Sequence, residues 1–267
     1  MSWALRRPVG VCCACGVFGI MAGLMLACGG SQSTAPGSYA ENAERGYQDA
    51  MEDFHKGRCD VASPLFSDVR KRFPYSRYAA LAELRVADCQ FKEKKYIEAI
   101  QGYRRFIRSH PAHPSVAYAK FKIADAYVQQ IPHGWFLTPP DHERDQGATR
   151  DALRQLRLFL QDHPNHARSA DARDMLRKVL RLLAQHEVYV ARFYFRREKY
   201  RATAMRLRDF EARFGGTGLE AEALWLQGRS LKALQQHKQA DARWQRLRQR
   251  YPKSEYAAKA RASHSPR

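Results

Sequence analysis

From residue 39 onward, apolar residues recur three and four positions apart and nowhere alternate as a strand does, so the chain reads as helix after helix. Five short breaks punctuate the pattern: Phe73-Pro74, His110-Pro111, His163-Pro164, Phe214-Gly215 and Tyr251-Pro252. Aligned on these turns, the flanking positions repeat. Twelve residues before each Pro or Gly stand Ala62, Ala99, Ala152, Thr203 and Ala240. Eight before stand Phe66, Tyr103, Leu156, Leu207 and Trp244, and five before stand Val69, Phe106, Phe159, Phe210 and Leu247. These three positions share one helix face. Alanine returns six residues after each turn (Ala80, Ala117, Ala170, Ala221, Ala258) and again eight after (Ala82, Ala119, Ala172, Ala223, Ala260). Small residues let two helices approach, and large ones fill the space between them.

The turns at 74, 111, 164, 215 and 252 are separated by 37, 53, 51 and 37 residues. The period and the Ala-x3-Phe…Pro order fit the tetratricopeptide repeat, about 34 residues long. The expected fold is an all-α tetratricopeptide solenoid of about five helix-turn-helix units, each burying its stripe by stacking on its neighbours. The 53-residue interval contains Ile131 to Gln146, and 53 − 16 = 37 places a 16-residue insertion between the two helices of the third repeat. That insertion carries the aromatic pair Trp135-Phe136, a candidate for partner contact or for covering the core. The 51-residue interval adds 51 − 37 = 14 residues without Gly or Pro, which predicts lengthened helices in the fourth repeat.

Two histidine pairs, His110/His113 and His163/His166, have the one-turn spacing of metal ligands. Their columns favour another role. His110 and His163 stand where other repeats have Phe73, Phe214 and Tyr251, a packing column. His113 and His166 stand where others have Ser76, Thr217 and Ser254, good caps for the next helix. No HExxH or paired-cysteine motif supplies further ligands. No phosphate loop or nucleophile elbow is present either, so neither an enzyme nor a cofactor is expected.

The first residues set the compartment. Arg6 and Arg7 precede an uncharged stretch from Val11 to Ala27, marginal for a membrane span and typical of a secretory signal. It ends in Leu24-Met25-Leu26-Ala27-Cys28, which resembles the bacterial lipobox, cut before a cysteine that takes lipid. The expected organisation is a cleaved signal over 1–27, a tether lipidated at Cys28 over 28–38, repeats over 39–262 and a disordered tail over 263–267. The formal charge of +19 falls to 19 − 2 = +17 once Arg6 and Arg7 are removed. Outside the cytoplasm, nucleic acid is not an expected partner. The charge suits anionic head groups or acidic partner domains.

The stretches "RFIRSHPAHPSVAY" (105–118), "ERDQ" (143–146) and "LLAQHEVYVARFYFRREKYRAT" (182–203) resemble the BamD family, tetratricopeptide lipoproteins of the outer-membrane β-barrel assembly machine. The resemblance covers essentially the whole mature chain. It implies a periplasmic scaffold, anchored to the outer membrane by its lipid, that binds the barrel subunit BamA and helps receive unfolded outer-membrane proteins. Other lipoproteins of the machine are possible partners. The pattern Glu187, Val190-Ala191, Tyr194 and Arg197 resembles the family's fourth repeat. Arg206 falls where the family has an arginine implicated in contact with BamA. Where the family tends to carry an acid after Val-Ala, this chain has Arg192. The first three repeats resemble the part assigned to substrate capture, which makes Tyr75, Tyr78, Tyr103, Tyr118 and Tyr127 groove candidates. A general envelope adaptor for cell division or peptidoglycan synthesis is the alternative reading.

Signal cleavage also removes Cys12, Cys13 and Cys15, leaving Cys59 and Cys89 beyond the anchor. They lie 15 residues before and 15 after Pro74, at matched heights on antiparallel helices. In an oxidising compartment they are expected to pair as a disulfide. Two buried free thiols remain the other reading.

Overall fold

The computed structural model describes residues 38–132 and 140–262. Residues 1–37, which hold the expected signal, Cys28 and all of the tether but Ser38, together with Trp135 and Phe136 and the tail from 263, lie outside the described residues. The described residues form twelve α-helices and a short 3-10 turn, with no strand among them.

The helices pair as the turns predict. Repeat one is α1 (Tyr39–His55) and α2 (Cys59–Arg72); repeat two is α3 (Arg77–Lys92) and α4 (Tyr96–Ser109). Repeat three is α5 (Val116–Gln129) and α6 (Gly147–Asp162), separated by the insertion. Repeat four is α7 (Ser169–Arg196) against α8 (Tyr200–Arg206) and α9 (Phe210–Phe214). Repeat five is α10 (Glu220–Ala233) and α11 (His237–Arg250), and α12 (Glu255–Ala262) packs against both helices of that repeat.

The columns before each turn are the core. Ala62, Ala99, Ala152, Thr203 and Ala240 are buried, as are the large residues that follow them in the −8 and −5 columns. Alanine at +8 is buried in every repeat. At +6 only Ala80 and Ala221 are buried, while Ala170 and Ala258 are exposed, so that column marks helix surface as often as helix contact. Close approach is tightest at two glycines. A Cβ on Gly102 would lie 2.8 Å from the Ala87 Cβ, and one on Gly228 would lie 2.2 Å from Trp244 Nε1.

The extra residues of repeat four go into one helix. α7 has 28 residues against 14 in α5, and 28 − 14 = 14 accounts for the whole excess. The expectation of several lengthened helices is corrected to one, because the helix that pairs with α7 is split at Leu207–Asp209 into the short α8 and α9. Thr203 stands in that hairpin where the other repeats have alanine. Its Oγ1 donates back to the Lys199 carbonyl at 3.3 Å, a bond that bends helices. Just beyond it the backbone tightens to i→i−3 bonds, Arg208 to Met205 and Phe210 to Leu207.

The described end of the insertion, Pro140 to Gln146, packs on this long helix. His186 Nδ1 in α7 lies 2.7 Å from the His142 carbonyl, and the His142 ring meets Tyr189 edge-on at 5.3 Å. The two departures from the 37-residue period thus support each other in space.

The histidines act as turn residues. The His110 ring packs on Phe106 at 5.3 Å and the His163 ring on Phe159 at 5.7 Å. His113 Nδ1 accepts the Ser115 N–H at 3.1 Å, and His166 Nδ1 accepts the Arg168 N–H at 3.1 Å. Ser76 and Ser254 likewise accept from Ala79 and Ala257 at the starts of α3 and α12. Burial and then the neighbouring His110 hold His113 below the usual imidazole range, which suits a neutral ring that accepts. Among the described residues, no group of three or more His, Cys, Asp or Glu gathers as metal ligands, and no helix is long and apolar enough to cross a membrane.

Candidate functional site

The tyrosines of the first three repeats divide sharply by environment. Asp88 on α3 is 4% exposed and accepts three side-chain donors: Arg85 Nη1 at 2.5 Å, the Tyr103 hydroxyl at 2.6 Å and the Tyr118 hydroxyl at 3.0 Å. Arg85 also donates to the Tyr47 hydroxyl at 3.4 Å, so helices α1, α3, α4 and α5 meet at one buried carboxylate. Burial, then Asp88, pushes both tyrosine hydroxyls up, and each stays a donor at any physiological pH. Burial pulls Arg85 down, but Asp88 and Tyr47 outweigh it.

Tyr103 is fully buried and Tyr78 nearly so, and neither offers a ring face to a peptide. Both are corrected from groove to core. Tyr103 already stood in the −8 packing column, and Tyr78 stacks on Tyr47 at 5.4 Å. Tyr118 and Tyr127 are half-buried, with the Tyr127 hydroxyl accepting from Arg104 at 3.1 Å. Tyr75 is 95% exposed at the α2–α3 turn and is the one fully open ring of the five.

The fourth and fifth repeats hold their charges differently. Glu187 on α7 accepts from Arg206 Nη1 at 2.7 Å and Arg213 Nη2 at 3.3 Å. Glu211 pairs with Arg246 and Arg250, and Glu222 with Arg192. Arg192, the departure from the family's pattern, thus has its acid within the chain. Arg206 and Glu187, both partner candidates, are brought together, and a partner must compete with Glu187 to take Arg206. Tyr194 packs on Phe193 at 5.7 Å and Arg197 lies over the Phe193 ring at 4.5 Å. No bond joins them to the Glu187–Arg206 pair among the described residues.

A groove of about 780 Å³ opens between α8, α10 and α11. Arg201, Met205 and Arg208 line it from one side, Leu231 from its floor, and Gln239 and Arg243 from the other. Met205 is 55% exposed there. None of the lining residues is acidic. Among the described residues, no ion pair or side-chain hydrogen bond reaches Arg201, Arg208 or Arg243, although Arg206, Arg213, Arg246 and Arg250 are paired. Helix geometry explains the division. Arg206 turns toward α7, while Arg201, Met205 and Arg208 turn toward α10 and α11. Gln227, buried under the groove, pins the wall by donating to the Ala204 carbonyl at 3.3 Å.

A neighbouring hollow lined by Phe195, Tyr200, Trp225 and Trp244 also holds cations, but they are engaged. Arg229 lies over Phe195 at 4.6 Å and Lys232 over Trp244 at 5.6 Å. The groove residues were not singled out from the sequence. Which arginines keep a free charge depends on where three glutamates fall in space, and no periodic signal carries that.

Residues 39–247 match the profile of the YfiO family, described as "Outer membrane lipoprotein". An outer membrane protein assembly factor BamD of Neisseria gonorrhoeae is 26% identical over 227 residues, covering 82% of this chain and 83% of that one. The BamD of Caulobacter vibrioides is 29% identical over 207 residues, covering 77% of this chain and 65% of its own. Among solved structures, the TPR2AB domain of yeast Sti1 superposes with a TM-score of 0.44 at 12% identity, over 84% of this chain and 83% of that one, too loosely to argue from. The profile match spans well over half of the chain, and the chain belongs to the YfiO family of outer membrane lipoproteins.

Proposed function

We propose that this chain is a non-enzymatic scaffold of outer-membrane β-barrel assembly, held by lipid at Cys28 on the periplasmic face of the outer membrane. Its fourth and fifth repeats dock a BamA-type barrel subunit, and its first three receive unfolded outer-membrane proteins. The names of the relatives support the process. The observation that carries the docking site is the groove of Arg201, Arg208 and Arg243 around exposed Met205, with no acid in its lining. Unpaired like charges beside an apolar side chain suit an acidic surface with an apolar anchor, since each guanidinium can take a carboxylate bidentately. Glu187–Arg206 lies on the opposite side of α8 and offers a second, switchable contact, because Arg213 stays with Glu187 when Arg206 leaves. On the substrate side, Tyr75 is exposed, and Tyr118 and Tyr127 present only part of their rings.

The test is purification of the native protein from detergent-solubilised envelopes at low and high salt. A BamA-type subunit is expected as the dominant partner, released as salt rises. Recovery of division or wall-synthesis proteins in its place would overturn the reading in favour of a general adaptor.

A further inference from the structure

We propose that Cys59 and Cys89 close into a disulfide that straps the first repeat to the second. Of the six cysteines, these two alone lie beyond residue 28. Cys59 opens α2 and Cys89 sits in the last turn of α3, 3% and 1% exposed. They are free thiols, both closed off in one buried cluster between α2 and α3. Both belong to the cluster of Tyr47, Phe54, Ala62 and Phe66 that joins repeats one and two. Lys92, one turn beyond Cys89's height, donates to the Phe54 carbonyl at 2.9 Å and lies 3.6 Å over the Phe54 ring.

The location has a physical purpose. An end repeat packs on one neighbour only, so it is where a solenoid begins to unravel. A bond between α2 and α3 ties that end to the helix carrying Asp88, whose three donors come from α3, α4 and α5. The pairing of repeats one and two then no longer rests on packing alone.

The chemistry sets the order of events. Both thiols are closed off from any oxidant in the folded protein, 3% and 1% exposed, and the same burial holds Cys89 above its ordinary range. Oxidation therefore precedes final packing. In the unpacked chain one cysteine thiolate attacks a disulfide-bearing oxidant, forming a mixed disulfide and expelling one thiolate of the oxidant. The second cysteine thiolate attacks the cysteine sulfur of that mixed disulfide and expels the other. The two thiol protons pass to the expelled sulfurs, and the oxidant leaves as two thiols. The oxidant is a protein or glutathione disulfide, as an oxidising envelope maintains.

The experiment refolds the reduced, denatured full chain in mixed oxidised and reduced glutathione, and in reductant alone. This makes the result independent of compartment and of any partner. Trypsin, without reduction, is expected to yield residues 59–70 joined to 86–92, two hydrogen masses lighter than the separate peptides. The oxidised form should melt roughly 10 °C above the reduced form, from the chain entropy of a closed loop of this size. Cys59→Ser refolded in glutathione should melt with the reduced form. Should it not fold, the reduced wild-type chain supplies the same comparison. Uptake of alkylating reagent by both cysteines in the unfolded, unreduced protein overturns the proposal. So does capture of either as a glutathione adduct or an interchain bond, or an oxidised form no more stable than the reduced.

Discussion

Asp88 and Glu187 are both carboxylates on the first helix of a repeat, and both gather several donors, yet they hold different kinds of structure. Asp88 is enclosed by Arg85, Tyr103 and Tyr118, one of them fully buried, and its bonds join three helices inside the core. Glu187 meets Arg206 and Arg213 at the rim, where their side chains remain 32% and 52% exposed. Asp88 thus fixes helices of the first repeats to one another. In the second half Glu187 holds its arginines at the surface, and among the described residues the groove arginines Arg201, Arg208 and Arg243 have no ion pair. One carboxylate is locked inside the core, and the other sits where its arginines stay open to solvent.

Substitution separates the two ends. Asp88→Ala leaves the Tyr103 hydroxyl buried without an acceptor and Arg85 without its charge partner, and about 3–5 kcal/mol of stability should be lost. Glu187→Ala leaves two arginines that can turn to water, and about 1 kcal/mol or less should be lost. Urea unfolding of the two variants side by side checks the contrast; equal losses would break it.

A smaller, opposite effect sharpens the comparison at the turns inside the repeats. Gly57, Lys94, Glu198 and Gln235 occupy the same place, 17 residues before their turns, and all have positive φ, from 59° to 79°. Gly147 stands in that column in the interrupted third repeat. Glycine takes this conformation without strain, so Lys94→Gly or Gln235→Gly should stabilise by about 0.5–1 kcal/mol. Thermal melts of the two variants measure it, and a loss would show that the lysine or glutamine side chain contributes more than its backbone costs.

Much of the architecture was legible because the repeat samples each position five times. A column that accepts Phe, Tyr, Leu and Trp is core whatever residue fills it, and the same comparison turned two suggestive histidine pairs into packing and capping residues. Tyr103 was legible by that logic too, and only the attraction of a tyrosine groove obscured it. The single-copy features were not legible. The insertion and the lengthened helix read as two separate departures, because only the fold brings His142 against His186 and Tyr189. The split of α8 from α9 lies just beyond the one threonine in an alanine column. The groove escaped for the same reason: in a chain with 46 lysines and arginines, a free arginine looks like any other until its neighbours are placed.

The central claim is that the uncompensated arginines, and not the basic character of the chain, dock the partner. Binding of the full chain to the periplasmic part of a purified BamA-type subunit, measured by titration calorimetry, tests it with two variants of equal charge. One is Arg201→Gln/Arg208→Gln/Arg243→Gln. The other is Arg154→Gln/Arg168→Gln/Arg177→Gln, exposed arginines that already have a neighbouring aspartate. The groove variant is expected to bind at least about tenfold more weakly with its melting temperature unchanged, and the control to bind as the wild type does. Equal affinity of the two variants would contradict the account.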